Sequence, residues 1–234
     1  MSRPDPITTM KSISISIPAY NEEGAIARVV GDSFKVLSAL TDDYEVVVID
    51  DGSTDSTAKI LRELSAHQPG LRIYRHDKNM GIGPTLKDVV SRPTKEWVFF
   101  IPGDGQIPAA EIHKLLPWTA NYDYIIGRRI ARKDNAVRRM NAWIYNMVIS
   151  FMGLKRVFDV DSVVLFRREI LKNIRFKSRG AFIHAEIFLS VLKGGGKTVE
   201  VSIEHLPRTG GGATGNKIAV VLKAAADIIL YLLS

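Results

Sequence analysis

The sequence predicts an α/β fold, a mostly parallel sheet with helices on both faces. Three observations carry this. Strand-like and helix-like segments alternate through the first half of the chain, the order that builds a parallel sheet. The run Val46–Ile49 is continuously apolar, as in a strand buried on both faces. Two such runs end in carboxylates, in VVVIDDGSTD (Val46–Asp55) and FFIPGDGQ (Phe99–Gln106), and in open α/β sheets ligands bind outside the carboxyl ends of the strands. With 234 residues, 46% of them hydrophobic, the chain can bury one good core.

The elements follow in order. Ser12–Ile17 (SISISI) alternates apolar and polar and reads as a first strand ending at Pro18; Asn21–Leu40 carries helical spacing. Tyr44–Ile49 is the second strand, with Gly52 for a tight turn and Ser53 or Thr54 to cap a helix over Thr54–His67. Leu71–Tyr74 is a short strand, Pro84–Val90 a helix with proline in its first turn, and Trp97–Ile101 a strand. Pro108–Trp118 reads as a helix and Tyr124–Ile126 as a strand. In the less regular second half, Val137–Met152 is an amphipathic helix, Val160–Phe166 a strand, and Phe182–Leu192 a helix ended by glycines. Thr198–Ile203 is an alternating strand and Thr209–Gly215 a glycine-rich loop. Ile218–Leu233 is apolar but carries Lys223 and Asp227 and falls short of the roughly 20 residues needed to span a bilayer. An interfacial membrane helix fits it best, ahead of a core helix or the stub of a longer span.

The net charge of +7 favours phosphorylated ligands, anionic membranes or nucleic acid. Arg128, Arg129, Arg132, Lys133, Arg138 and Arg139 fall within twelve residues. With no zinc-finger spacing and no aromatic RNA-binding signature, nucleic acid is not an expected partner. The absence of cysteine excludes disulfides and thiolate metal sites and is compatible with a reducing compartment. The amino terminus lacks the apolar core of a signal peptide. The expected location is the cytoplasm, peripheral on the cytoplasmic face of a membrane.

Three strand ends hold candidate site residues. Tyr20, Asn21 and Glu22 follow the first strand and share an edge with Asp50 and Asp51. Asn21 also reads as a helix cap. Lys78–Gly83 (KNMGIG) sets two glycines before a helix, which brings amides and a lysine towards an anion, though it lacks the Walker pattern. Asp104 and Gln106 offer hard oxygen ligands to a divalent cation that completes its shell from water and a diphosphate.

IPAYNEE, VVVIDDGSTD, KNMGIG and PGDGQ, in this order and spacing, resemble the nucleotide-sugar-binding half of family 2 glycosyltransferases of the GT-A fold. IIGRR (125–129), DVDSVVLFRRE (159–169), FIHAEI (182–187) and HLPRTGGGATG (205–215) resemble its polyprenyl-phosphate branch, similar to dolichol-phosphate mannose synthases. The resemblance covers Ile13 to about Gly215. It implies a single catalytic domain over residues 1–215, with 12–106 as the donor half and 107–215 as the acceptor half, and 216–234 as an appended helix. It implies that Pro18, Tyr20, Asn21, Glu22, Asp50, Asp51, Lys78 and Gly81 hold a GDP- or UDP-linked sugar. Asp104 and Gln106 would meet Mg2+ or Mn2+; Arg128, Arg138 or Arg139, and Arg208 would bind the lipid phosphate or the donor diphosphate. Asp104, Asp159 and Asp161 would stand at the reacting centre.

Two features depart from the family. Pro102 stands where relatives often carry the first carboxylate of Asp-x-Asp, which leaves a weaker metal site or a metal held mainly by diphosphate. The membrane-spanning helices that some relatives carry after the catalytic domain are missing. The expected reaction is inverting sugar transfer to a polyprenyl phosphate at a membrane surface. Its acceptor oxygen is already ionised and needs no strong base. Two alternatives stand beside it. One is a soluble enzyme acting on a saccharide or small-molecule hydroxyl, with Asp161 as the base. The other is a non-catalytic nucleotide-sugar-binding protein.

Overall fold

The computed structural model describes residues 12–130, 136–172, 174, 176–178, 180–207, 227, 228 and 231, with only the backbone of 136–139. Seven strands form one sheet in the order β3-β2-β1-β4-β6-β5-β7. The strands are β1 (Ile13–Ala19), β2 (Tyr44–Asp50), β3 (Leu71–Arg75), β4 (Trp97–Phe100), β5 (Tyr124–Arg129), β6 (Val164–Arg167) and β7 (Thr198–Ile203). β6 runs antiparallel to β4 and β5, and every other pairing is parallel. The carboxyl ends of β1, β2, β4 and β5 therefore share one edge with the start of β6.

Helices cover both faces. On one side α1 (Ile26–Ser38) and α2 (Thr57–Ser65) pack Ile26, Val29, Val30, Phe34, Leu37 and Leu61 against Ile13, Ile15, Ile17, Val46 and Val48. On the other, α3 (Ile82–Ser91), α5 (Ala136–Met152) and α6 (Ile183–Lys193) cover Val47, Ile49, Val98, Phe100 and Phe166. Alternation in β1 suits a half-solvated strand, yet Ser14 and Ser16 are fully buried. Ser16 Oγ donates to Val89 O on α3, and Ser14 Oγ donates to Glu45 Oε1 at 2.7 Å. The small polar residues admit a helix to this face, and each is hydrogen-bonded.

Several element boundaries move. α1 starts at Ile26, because Asn21 takes a left-handed backbone (φ 55°) and caps nothing. α2 starts at Thr57, with Asp55 Oδ1 accepting Thr57 N; neither Ser53 nor Thr54 is its cap. The predicted helix 108–118 is three short pieces, the 3-10 turns Ala109–Glu111 and Leu116–Ala120 flanking α4 (Ile112–Leu115). Pro117, with no amide hydrogen, interrupts it. β6 begins at Val164 instead of Val160, because Val160 N donates to Asn146 Oδ1 and Ser162 N to Asp159 O. The glycine-rich loop 209–215 lies outside the described residues. So does most of 216–234, where Asp227 accepts Gly180 N at 2.9 Å and Tyr231 packs edge-on against Phe182, both contacts with the protein itself.

The opposite edge of the sheet is tied by one acid. Glu45, 4% exposed, accepts hydrogen bonds from Ser14 Oγ, Thr94 N (2.6 Å) and Arg72 Nη1 (2.9 Å). Burial pushes its pKa up, but these bonds outweigh burial and hold it below the ordinary 4.5. A lowered folded-state pKa gives stability that is present above 4.5 and lost as pH falls through the folded value. Glu45→Gln is expected to cost about 1–3 kcal/mol at neutral pH. Urea unfolding should show the variant and wild type converging as pH falls below 4.5.

Candidate active site

The shared edge gathers the predicted donor residues. Pro18, Tyr20, Asn21 and Glu22 leave β1; Asp50 and Asp51 close β2; Lys78 and Gly81 lie between β3 and α3. Asp104 and Gln106 follow β4, between which and β2 lies β1. Hydrogen bonds lock the first two loops together. Asn21 Oδ1 accepts Thr54 N at 2.8 Å, Asn21 N donates to Ser53 Oγ, and Glu22 N donates to Thr57 Oγ1. The left-handed turn at Asn21 thus serves to aim its amide across at the second loop.

Asp51 ties in the third loop. Its Oδ1 accepts Met80 N at 2.8 Å and lies 2.7 Å from His76 Nδ1, while Oδ2 accepts Gly81 N at 2.9 Å. The carboxylate is 5% exposed and well compensated, as a buried charge must be. The loops approach so closely that a Cβ on Gly52, whose φ is +70°, would stand 2.4 Å from the Lys78 carbonyl carbon. Asp50 is fully buried. Its Oδ1 accepts Ser53 N, and its Oδ2 has an ion pair with Arg75 Nε at 3.5 Å but no hydrogen-bond partner among the described residues. Tyr20 and Lys78 are exposed beside them.

Asp104 sits half-buried in the turn after β4, its Oδ1 accepting Gln106 N at 3.0 Å. Gly103 N donates to Pro18 O, which fixes this turn against the end of β1. Gln106 Nε2 donates to Leu206 O, and Leu206 N donates to Gln106 O. This pairing brings the HLPR segment to the turn; Arg208 itself lies outside the described residues. Among the described residues no group of three or more His, Asp or Glu side chains could hold a metal ion. The hard oxygens of Asp104 and Gln106 fit a cation that takes its remaining ligands from diphosphate and water.

The expected acceptor half divides its charges between buried and exposed positions. Asp159 is buried and takes Arg129 on both oxygens, with Nε–Oδ2 at 2.9 Å and Nη2–Oδ1 at 2.6 Å, plus Arg129 N at 3.0 Å. Asp161, two residues on, is exposed. Arg128 is exposed at the end of β5, its guanidinium carbon 4.3 Å from the Phe158 ring centre, with that of Arg156 at 4.4 Å. The side chains of Arg138 and Arg139 lie outside the described residues, as do Arg132 and Lys133. Glu200 accepts Phe158 N and Asp159 N, and burial raises its pKa against those bonds. Burial, with Arg129 adding to it, lowers His184 to about 4, so its imidazole is neutral beside the Phe100 ring.

Sequence reasoning missed His76, Arg75 and Arg156. Arg75 and His76 follow a short strand with no motif around them, and nothing in the sequence pointed Arg156 at the Phe158 ring.

The glycosyl transferase family 2 profile matches residues 14–175. The chain belongs to glycosyl transferase family 2. Glycosyltransferase AglJ of Haloferax volcanii is 31% identical over 215 residues, covering 88% of this chain and 67% of the relative. The undecaprenyl-phosphate 4-deoxy-4-formamido-L-arabinose transferase of Photorhabdus laumondii is 27% identical over 206 residues, covering 85% and 61%. The chain thus spans about two thirds or less of the length of these relatives, whereas it covers 97% of an uncharacterized protein of Methanocaldococcus jannaschii, at 30% identity. Glucosyl-3-phosphoglycerate synthase of Mycobacterium tuberculosis, solved with Mn2+, UDP-glucose and phosphoglyceric acid, superposes with a TM-score of 0.72 over 94% of this chain and 79% of the other. At 17% identity this establishes the fold, which is that of the GT-A glycosyltransferases.

Asp159 and Asp161 of this family 2 domain separate by environment. Asp159→Asn removes the carboxylate charge from the part-buried Arg129 guanidinium and is expected to lower stability by about 1–3 kcal/mol. Asp161→Asn, at an exposed position, should leave stability within about 0.5 kcal/mol. Thermal or urea unfolding of the two variants checks both.

Proposed function

We propose that this chain transfers a sugar from a uridine diphosphate sugar to a polyprenyl phosphate at a membrane surface, with inversion at the anomeric carbon. One observation carries the reading. The carboxylate-bearing ends of β1, β2 and β4 share an edge with the exposed Arg128 and Arg156 guanidiniums, and α5 on that half of the sheet carries an apolar face open to solvent.

The nucleoside would lie over Pro18, Tyr20 and Asp51, with Asn21, Glu22 and Asp50 holding the loops that frame it. Acceptor counting favours uracil. Asp51 Oδ1 already has two partners and Oδ2 has one, which leaves a single lone pair. That suits the one N3–H of uracil. The adjacent N1–H and N2–H of guanine need both oxygens.

The diphosphate would lie towards Asp104 and Gln106, with Lys78 and Gly81 on its other side. A Mg2+ or Mn2+ ion held by Asp104, Gln106 and the diphosphate would neutralise charge on the departing group. Guanidinium suits the acceptor phosphate because it is always charged and binds phosphate with two donors; Arg128 takes this role, with Arg138, Arg139 and Arg208 as further candidates. An oxygen of the acceptor phosphate bonds to the anomeric carbon, whose bond to the diphosphate breaks on the opposite face. UDP leaves with the electron pair. No proton is removed in this step, so no base is required, and the work of the site is to hold two anions together. Asp161, exposed at the same edge, would help orient the sugar; Asp159 acts through Arg129.

The membrane reading rests on α5. Its inner face buries Asn146 and Ile149, while Met140, Trp143, Ile144, Met147 and Phe151 form an exposed apolar stripe continued by Leu154, which is 91% exposed. Stripes of this kind with adjacent basic residues lie in membrane interfaces. No helix among the described residues is long and apolar enough to cross a bilayer; the α5 stripe would seat the domain on the surface of a membrane, on its cytoplasmic face in this reading. The segment 216–234 would add to that attachment or pack on the domain.

Labelled sugar offered as UDP- and GDP-linked donors with undecaprenyl phosphate and Mn2+ tests the reading. A chloroform-soluble product from UDP donors supports it; a water-soluble product or donor hydrolysis alone points to a hydroxyl acceptor. Asp104→Ala should lower transfer by about 100-fold or more while the protein stays folded. Trp143→Glu with Phe151→Glu should weaken co-sedimentation with anionic vesicles and leave UDP binding unchanged. Unchanged sedimentation would remove α5 from the membrane.

A further inference from the structure

His76 follows β3 and no motif absorbs it. Its ring bridges two carboxylates, Nδ1 lying 2.7 Å from Asp51 Oδ1 and Nε2 lying 2.9 Å from Asp88 Oδ2. A carboxylate only accepts hydrogen bonds, so each ring nitrogen must carry a proton, and this arrangement is that of an imidazolium. A neutral ring would turn a lone pair onto one of the two anions.

The charges around it are arranged for this. On β2 these are Asp51 and Asp50, and Asp50 is paired with Arg75. On α3, Asp88 gives its other oxygen to Arg92 Nε at 3.0 Å. On the β3 side Arg75 is drawn away, its Nη2 donating to Ser53 O. Asp77 and Lys78 follow in the turn and are exposed. Two carboxylates thus contact the ring directly, and the nearby guanidiniums are occupied with other partners.

We propose that His76 is a positioning residue for the nucleotide: as a doubly bonded imidazolium it fixes the Asp51 carboxylate and, through the Met80 and Gly81 amides, the 78–81 loop in the donor-binding arrangement. This rests on the reading of Asp51 as a nucleoside ligand. Asp51 Oδ1 is shared between the ring and Met80 N, so the direction of the free lone pair on Oδ2 depends on His76 staying in place. Asp88 anchors the ring to α3, whose first turn follows Gly81.

Burial works against the charged ring, but the bonds to Asp88 and Asp51 outweigh it and raise its pKa above the ordinary 6.5. The sign follows. A raised folded-state pKa gives an interaction fully present below 6.5 and lost as pH rises through the folded value. Donor affinity should therefore fall on the alkaline side, with KM for donor rising and kcat little changed.

The test is the dissociation constant of UDP-glucose, a probe whose diphosphate diester does not titrate near neutrality, from about pH 6 to about pH 8.5, with the His76 ring followed by NMR. Wild type should lose about tenfold in affinity as the ring deprotonates. His76→Gln should bind weakly at every pH. Asp88→Asn, which touches neither Asp51 nor the loop, should move the ring titration and the affinity loss together to lower pH. It also carries the test if His76→Gln fails to fold. A wild-type affinity that stays flat while the ring titrates, or an Asp88→Asn midpoint that does not move, overturns the role of His76. Absence of UDP-glucose binding at every pH instead overturns the donor reading, and the positioning role falls with it.

Discussion

The loops that follow β2 and β3 meet on one buried carboxylate. Asp51 closes β2, accepts two backbone amides of the 78–81 loop and a ring nitrogen of His76, and is almost wholly removed from water. A buried carboxylate without partners is unstable, and one with partners constrains whatever supplies them. The remaining features of the edge follow from that demand. Gly52 must be glycine because the third loop is drawn against its backbone. The β1 loop is sewn to the second by Asn21, Ser53 and Thr57. The proposed donor edge is therefore tied together by hydrogen bonds before any ligand enters, which would limit the ordering cost of binding.

The proposed acceptor side arranges its charges differently. Its basic residues are not interchangeable. Arg129 is spent inside the fold on Asp159, and together they fix the start of the segment that leads into β6. Arg128, its neighbour, points outward and lies on an aromatic ring shared with Arg156. Alternation along β5 accounts for the division, since successive side chains face opposite sides of a sheet. Helix α5 then offers apolar residues both inward and outward, and Asn146 on its inner face ties it to the Val160 amide. The outward stripe and the exposed guanidiniums give this side amphipathic character.

Much of this was legible in the sequence. The α/β class, the strands carrying the carboxylates and the edge on which they meet could be read from apolar runs that end in Asp, Gly and Pro. The antiparallel placement of β6 could not, because pairing direction depends on which strands become neighbours. SISISI looked half-solvated; serines can line a tight helix–sheet contact, and only tertiary packing distinguishes the two. Pro117 is the residue in the sequence that breaks the expected helix 108–118. Asp159 and Asp161 looked alike as letters and differ by burial. His76 escaped notice because one histidine after a short strand has no pattern around it, and its importance arises from Asp51 and Asp88, 25 and 12 residues away along the chain.

A crystal structure with UDP and Mn2+ bound tests the central claim most directly. The account predicts uracil N3 within hydrogen-bond distance of Asp51 Oδ2, the Met80 and Gly81 amides still on the same carboxylate, and the diphosphate against Asp104. Uracil bound away from Asp51, or a carboxylate turned off its loop to reach the base, would contradict it.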